Sequence, residues 1–192
     1  YVFAPSPEEI YPKGYSTFLE IAKVSEPLCG AFRPGHFRGV ATVVHRLFQI
    51  VRPQVAYFGQ KDLQQCLVID RMVKDLELPV KIAICPTVRE ADGLAKSSRN
   101  RYLSAEDRLK STVIFRAMEA VRKGYDRGER GVQSLRELAQ TELATVPDFR
   151  VQYCEIRALP LLENIEQIEG PATLAIAGFL GNTRLIDNLV LT

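Results

Sequence analysis

VAYFGQKDLQQCLVIDRMVKDLELPVKIAIC, residues 55–85, is the stretch on which the fold turns. Val55-Ala56-Tyr57-Phe58 is an unbroken apolar run ending at Gly59, the pattern expected of a strand buried on both faces of a parallel sheet. Leu63, Cys66, Ile69, Met72, Val73 and Leu76 then recur at helical spacing, and the pattern ends near Leu78-Pro79. Val80 to Ile84 is a second strand-like run. Working upstream, Val40, Val43, Val44, Leu47, Phe48 and Val51 predict an amphipathic helix of about three turns that starts after Gly39 and stops at Arg52-Pro53. Helix, strand, helix and strand at these lengths imply an α/β unit with a parallel sheet and a right-handed crossover.

Downstream of Cys85-Pro86 the texture changes. Glu90 to Tyr102 is polar, contains glycine, and follows neither the helical nor the strand period, so it reads as a functional loop and hinge. Ser104-Ala105-Glu106-Asp107 resembles a helix start, and Leu109, Val113, Ala117, Ala120 and Val121 carry one helix to a stop at Gly124. Val132, Leu135, Leu138, Ala139 and Leu143 mark another helix that runs up to Pro147. Phe149–Ile156, Thr173–Leu180 and Arg184–Leu191 read as strands, the last two joined through Gly181-Asn182-Thr183. The organisation expected is an α/β domain over residues 1–88 and a second, smaller α+β lid domain over 89–192, its helices accompanied by a small antiparallel sheet, with a hinge near 89–103.

Composition narrows the function. In 192 residues, 46% are hydrophobic and 25% charged, which excludes a disordered or fibrous chain. Lys and Arg number 25 against 23 Asp and Glu, so the net charge of +2 supplies no field that would call for nucleic acid or an anionic membrane. Four scattered cysteines and only two histidines give no zinc spacing, and no structural metal is expected. Without a membrane-spanning run or a signal peptide, a cytoplasmic location is expected. The start at Tyr1-Val2-Phe3-Ala4-Pro5, an apolar stretch without methionine, reads as the end of a buried strand in a fragment.

Three strings carry candidate chemistry. Gly59-Gln60-Lys61-Asp62 sits where an open α/β sheet binds ligands, with Lys61 suited to phosphate, Asp62 to ribose hydroxyls, and Gln65 one turn on within reach of a polar substrate; the plain alternative is a strand-to-helix turn with Asp62 as the cap. Lys96-Ser97-Ser98-Arg99-Asn100-Arg101 offers hydroxyls and guanidinium forks to a polyphosphate, or is a solvated linker. Arg33-Pro34-Gly35-His36-Phe37 is either an anion site with His36 available for proton transfer or a helix-entry loop. His45 lies off the apolar stripe and reads as a surface residue.

Taken together, Arg33-Pro34-Gly35-His36-Phe37, Phe58-Gly59-Gln60-Lys61-Asp62 with Gln64-Gln65, Asp92-Gly93-Leu94 leading to Ser97-Ser98-Arg99-Asn100, and Arg184-Leu185-Ile186-Asp187-Asn188 closely resemble the pantoate–β-alanine ligase family. The resemblance runs in order through nearly the whole chain. It implies a dimeric member of the nucleotidyltransferase superfamily with a Rossmann-like sheet, incomplete here at its N-terminus. Such an enzyme adenylates pantoate with MgATP, releases pyrophosphate, and lets the β-alanine amine attack the pantoyl adenylate. By the same resemblance Gly59, Gln60, Lys61 and Asp62 hold ATP with Lys61 on the phosphates, Val88 meets the adenine through its backbone, and Lys96, Ser97, Ser98 and Arg99 form a phosphate-binding loop. Gln65, Arg33 and His36 fall to the substrate side, and Lys61, Ser97, Ser98 and Arg99 to catalysis. The superfamily's H-x-G-H signature is missing, since Arg33-Pro34-Gly35-His36 only mimics it, and Gln60 stands where the family expects Glu. The fragment is therefore expected to be inactive alone. The alternatives are another nucleotidyltransferase or a non-catalytic dimerising nucleotide-binding module.

Overall fold

The computed structural model describes residues 2–192. Its internal contacts separate two compact units: one runs to Phe58 and resumes over Gln64–Ile84, and the other comprises Gly59–Leu63 and Cys85–Thr192.

The first unit holds two short helices, α1 (Pro7–Ile10) and α2 (Cys29–Phe32), followed by α3 (His36–Val51), β1 (Val55–Gly59), α4 (Leu63–Asp75) and β2 (Lys81–Cys85). Ser6 and Glu9 open α1 with reciprocal side-chain-to-backbone bonds. The α3 helix starts at His36, ahead of the position expected after Gly39, and runs 16 residues rather than three turns. Gly35, at φ +75°, forms its entry, and Gly39 continues the helix by donating to Gly35 O at 3.0 Å. It ends where Arg52 turns left-handed at φ +51° just before Pro53.

Strands β1 and β2 pair in parallel. Ala56, Phe58, Val80 and Ile82 pack with Ala41, Phe48, Ile69, Met72 and Val73 in one core. Full burial of an Ile or Met side chain contributes about 1.5–3 kcal/mol. The expectation of a β1 buried on both faces does not hold within the described residues. Burial alternates along the strand, with Tyr57 73% exposed, because only the Ala56 and Phe58 face meets that core. The α4 stripe is found as read from Leu63 to Val73, while Leu76 is exposed beyond the helix end.

The second unit contains a 3-10 helix (Ser98–Tyr102), α5 (Ala105–Lys110), α6 (Val113–Asp126), α7 (Val132–Ala144), β3 (Arg150–Ala158), the two-residue β4 (Glu163–Asn164), β5 (Ala172–Leu180) and β6 (Thr183–Leu191). The single helix expected from Ser104 to Gly124 is two. Ser104 caps α5 by accepting from Asp107 N at 3.0 Å, but the chain breaks at Ser111, whose buried hydroxyl donates back to Arg108 O at 2.7 Å. Leu109, expected in the stripe, is exposed. Gly124 is not a stop either. The α6 helix continues through it, and its missing side chain makes room for α7, since a Cβ there would lie 2.6 Å from Leu138.

The antiparallel sheet has the order β4-β3-β5-β6. Leu180 pairs with Thr183 across the Gly181-Asn182 turn, with Gly181 at φ +52°. The helices α6 and α7 cover the sheet, and Val113, Ala117, Val121, Leu135, Leu174 and Ile176 are among its fully or nearly fully buried side chains. Among the described residues no helix is long and apolar enough to cross a membrane, and none of the four cysteines is in a disulfide.

Candidate functional site

Gly59 ends β1 in extended conformation and is followed by one 3-10 turn, Gln60–Asp62. Neither backbone strain nor packing requires glycine here: φ is −76°, and a Cβ would meet nothing within 4 Å. The Lys61 side chain is only 18% exposed and lies 4.0 Å from the more exposed Asp62 carboxylate. Across the second unit, Asn188 on β6 reaches this turn. Its Nδ2 donates to Gln60 O at 2.8 Å and to Lys61 O at 3.0 Å.

Sequence periodicity disappears over residues 90–102, yet the segment is ordered by local bonds. Arg89 bridges Ala95, Glu90 N donates to Leu94 O at 2.8 Å, and Lys96 N donates to Val88 O at 2.9 Å, closing a tight hairpin. Its tip needs Gly93, which sits at φ +92° with its Cα against the Phe115 ring. Ser97 accepts from Arg99 N at 3.2 Å and so starts the 3-10 helix, while Asn100 Nδ2 donates to Ala95 O at 3.0 Å. Arg89 holds the hairpin base: its guanidinium forks onto the Asp187 carboxylate at 2.6 and 3.2 Å and also donates to Gly93 O at 3.0 Å. At the exposed rim, the Arg108 guanidinium beside Asp92 holds that carboxyl below its usual range.

Lys61, Ser97, Asn100, Arg184 and Asp187 line one cleft of the second unit. It therefore joins two of the sequence strings, Gly59–Asp62 and Lys96–Arg101. The other candidates stand outside its lining. Asp62, Val88, Ser98 and Arg99 are exposed, as is Lys96, which has Glu90 at 3.8 Å. Asn100 brings a buried Oδ1 without a hydrogen-bond partner. The clamp formed by Arg89, Asp187 and Asn188 is absent from the candidate residues that the sequence suggests, although Asp187-Asn188 lies in one of the strings that carry the family resemblance. Its partners are 98 and about 128 positions apart, beyond the reach of any spacing rule. Among the described residues no three His, Cys, Asp or Glu side chains converge on a cation position.

The remaining candidates belong to the first unit. Arg33 Nη1 and His36 Nε2 are 3.1 Å apart at the entry to α3. Gln65 is half-buried on the first turn of α4. Its neighbour Gln64 is structural: Oε1 accepts from Cys29 N at 3.0 Å, and Nε2 donates to Val24 O and Pro27 O at 3.0 and 2.7 Å. His45, read as a surface residue, is partly exposed and 3.5 Å from Gln49 Nε2.

Comparison with known proteins gives a consistent result. A family model described as pantoate-beta-alanine ligase matches residues 1–190. Pantothenate synthetase of Moorella thermoacetica is 51% identical over 190 residues, covering 99% of this chain and 67% of that protein. Pantothenate synthetase 1 of Bradyrhizobium diazoefficiens is 53% identical over 192 residues, covering 100% and 67%. The solved pantothenate synthetase of Thermus thermophilus superimposes with a TM-score of 0.94 at 47% identity, over 97% of this chain and 68% of that one. The pantoate-beta-alanine ligase of Francisella tularensis, solved with beta-gamma ATP and beta-alanine, gives a TM-score of 0.65 at 30% identity, over 97% and 62%.

Proposed function

Because this chain belongs to the pantoate–β-alanine ligase family, we propose that it condenses pantoate with β-alanine through a pantoyl adenylate, with ATP as the activating substrate. The observation that carries the reading is the cleft that places Lys61 of one string beside Ser97 and Asn100 of the other. The ATP-bound Francisella relative supports ATP as the ligand.

In the first step a pantoate carboxylate oxygen bonds to the α-phosphorus, the bond to the β-phosphate oxygen breaks, and pyrophosphate leaves with its electron pair. In the second the β-alanine nitrogen bonds to the acyl carbon, AMP leaves, and the nitrogen releases a proton to water. Neither step needs a side-chain nucleophile. Both need substrates held in line and phosphate charge neutralised, which a cleft with a lysine, a serine hydroxyl and an arginine can supply. Lys61 stabilises the phosphate charge that grows on the leaving pyrophosphate, and Ser97, Ser98 and Arg99, with Lys96, extend that cradle. Gly59, Gln60 and Asp62 hold the nucleotide, Val88 meets the adenine through its backbone, and Gln65, Arg33 and His36 serve pantoate. Mg2+ enters on the ATP phosphates as part of the substrate, as is usual for a cation that needs few protein carboxylates. Residues 89–103 close as a clamp when ATP binds, and the enzyme works as a homodimer in the cytoplasm.

In the full-length protein, Lys61→Ala should lower ATP–pyrophosphate exchange by roughly 30- to 1000-fold, equivalent to about 2–4 kcal/mol of transition-state stabilisation. A well-folded variant that exchanges normally would reject the assignment. Gln65→Ala should instead weaken pantoate binding by about 1–3 kcal/mol and leave ATP binding unchanged, as calorimetric titration of each ligand would show. Equal losses for both ligands would make Gln65 structural.

A further inference from the structure

We propose that Asn188 is a positioning residue for Lys61, and that Asp187 and Arg89 hold it in place and tie the same strand to the hairpin that leads to Ser97. This rests on the reading of Lys61 as the phosphate-facing cation.

The turn Gln60–Asp62 is a single 3-10 turn that runs directly into α4. Asn188 braces its carbonyls from outside by donating one Nδ2 proton to each of Gln60 O and Lys61 O. The amide orientation follows from chemistry, because both neighbours are carbonyl oxygens and only an NH2 can serve them. Asn188 is 6% exposed, and its Oδ1 is buried with no hydrogen-bond partner. Burying an amide this deeply costs desolvation that its donated bonds offset, and both of those bonds go to the turn that carries Lys61.

Asp187, the preceding residue, links that clamp to the hairpin. Its side chain is 4% exposed, its Oδ1 accepts from Asn188 N at 2.9 Å, and both of its oxygens receive the Arg89 fork. Arg89 in turn grips Gly93 O, and its guanidinium lies 5.2 Å from the Phe115 ring centre. A single strand end thus fixes the backbone under Lys61 and the base of the loop that leads to Ser97. Both side chains line the same cleft. Lys61 has a flexible stem, so precision in where its ammonium sits has to come from the backbone beneath it.

The test is kinetic and uses the full-length protein. Asn188→Ala, checked for folding by circular dichroism, should lower kcat of pyrophosphate exchange by 10- to 100-fold with KM for ATP changed less than threefold, the signature of an interaction lost mainly in the transition state. Combined with Lys61→Ala it should lower the rate no further than Lys61→Ala alone. If Asn188→Ala does not fold, the isosteric Asp187→Asn replaces it, with an expected five- to tenfold fall in kcat and the same non-additivity. An unchanged kcat in the folded variant, or a full additional loss on the Lys61→Ala background, would overturn the positioning role and leave the Lys61 assignment standing. A Lys61→Ala protein with normal exchange would overturn the reading beneath it.

Discussion

The two segments that meet in the cleft are held in opposite ways. The hairpin before Ser97 is closed largely by its own neighbours: bonds from Glu90 to Leu94, from Lys96 to Val88, and a glycine at its tip. The turn carrying Lys61 depends on an asparagine 127 residues away. A locally closed segment fails when its own geometry is wrong, and a remotely held one fails when its distant partner is lost.

The two glycines test this difference most severely. At Gly93 a Cβ would stand 2.2 Å from the Phe115 ring, at φ +92°. Gly93→Ala should therefore destabilise the second unit by about 2–4 kcal/mol, the sum of left-handed strain and overpacking. Thermal unfolding would show it as a fall in Tm of many degrees. Gly59→Ala meets open space at an ordinary φ, so its Tm should stay within about a degree. On the proposed role of Gly59 in holding the nucleotide, its effect should appear in ATP affinity alone. If the two variants lost equal stability, the distinction between a glycine kept for the fold and one kept for a ligand would be void.

A second remote amide sharpens the point in the other unit. Gln64 saturates three of its bonding positions on Val24, Pro27 and Cys29, 35 to 40 residues away. Gln64→Ala leaves two carbonyls and an N–H in a part-buried setting without those partners, so stability should fall by about 1–3 kcal/mol in urea unfolding. ATP–pyrophosphate exchange measured well below Tm should change little, in contrast to Asn188→Ala. A variant with native stability would mean that water replaces those bonds freely.

What can be read from the sequence follows the same division. The α4 stripe, the three long strands and the Gly181 hairpin rest on periodicity and turn chemistry within a few residues, and the structure shows them close to where the pattern puts them. The start of α3 lies ahead of its expected place because Gly39, usually a breaker, sits mid-helix, and the Ser104–Gly124 pattern merges two helices because Ser111 bonds backward without breaking the apolar period. At the site, Lys61 and Ser97 stand out in the sequence because cations and hydroxyls at a strand end or in an aperiodic loop suit phosphate. Asn188 looks like any polar residue on a strand until its register places it beside Gln60 O.

The smallest expected effect lies at the rim of the hairpin, where Asp92 and Arg108 pair at 2.6 Å. Both side chains are more than a third exposed, so solvent screens the pair and its contribution is about 0.5 kcal/mol. Its sign with pH is fixed by the direction of the shift. The hydrogen bond from Arg108 lowers the Asp92 pKa in the folded protein. The folded state therefore binds its proton less readily than the unfolded chain, whose Asp titrates near about 3.9. The contribution is fully present above that value and disappears as pH falls through the lowered folded pKa. Asp92→Asn should accordingly be slightly less stable than the parent at pH 6, and the difference should shrink toward zero as acid takes the medium down through the lowered folded pKa. Urea midpoints of both proteins across that range make the comparison, and a gap that widens on acidification would show that the pair does not stabilise the hairpin as an ion pair.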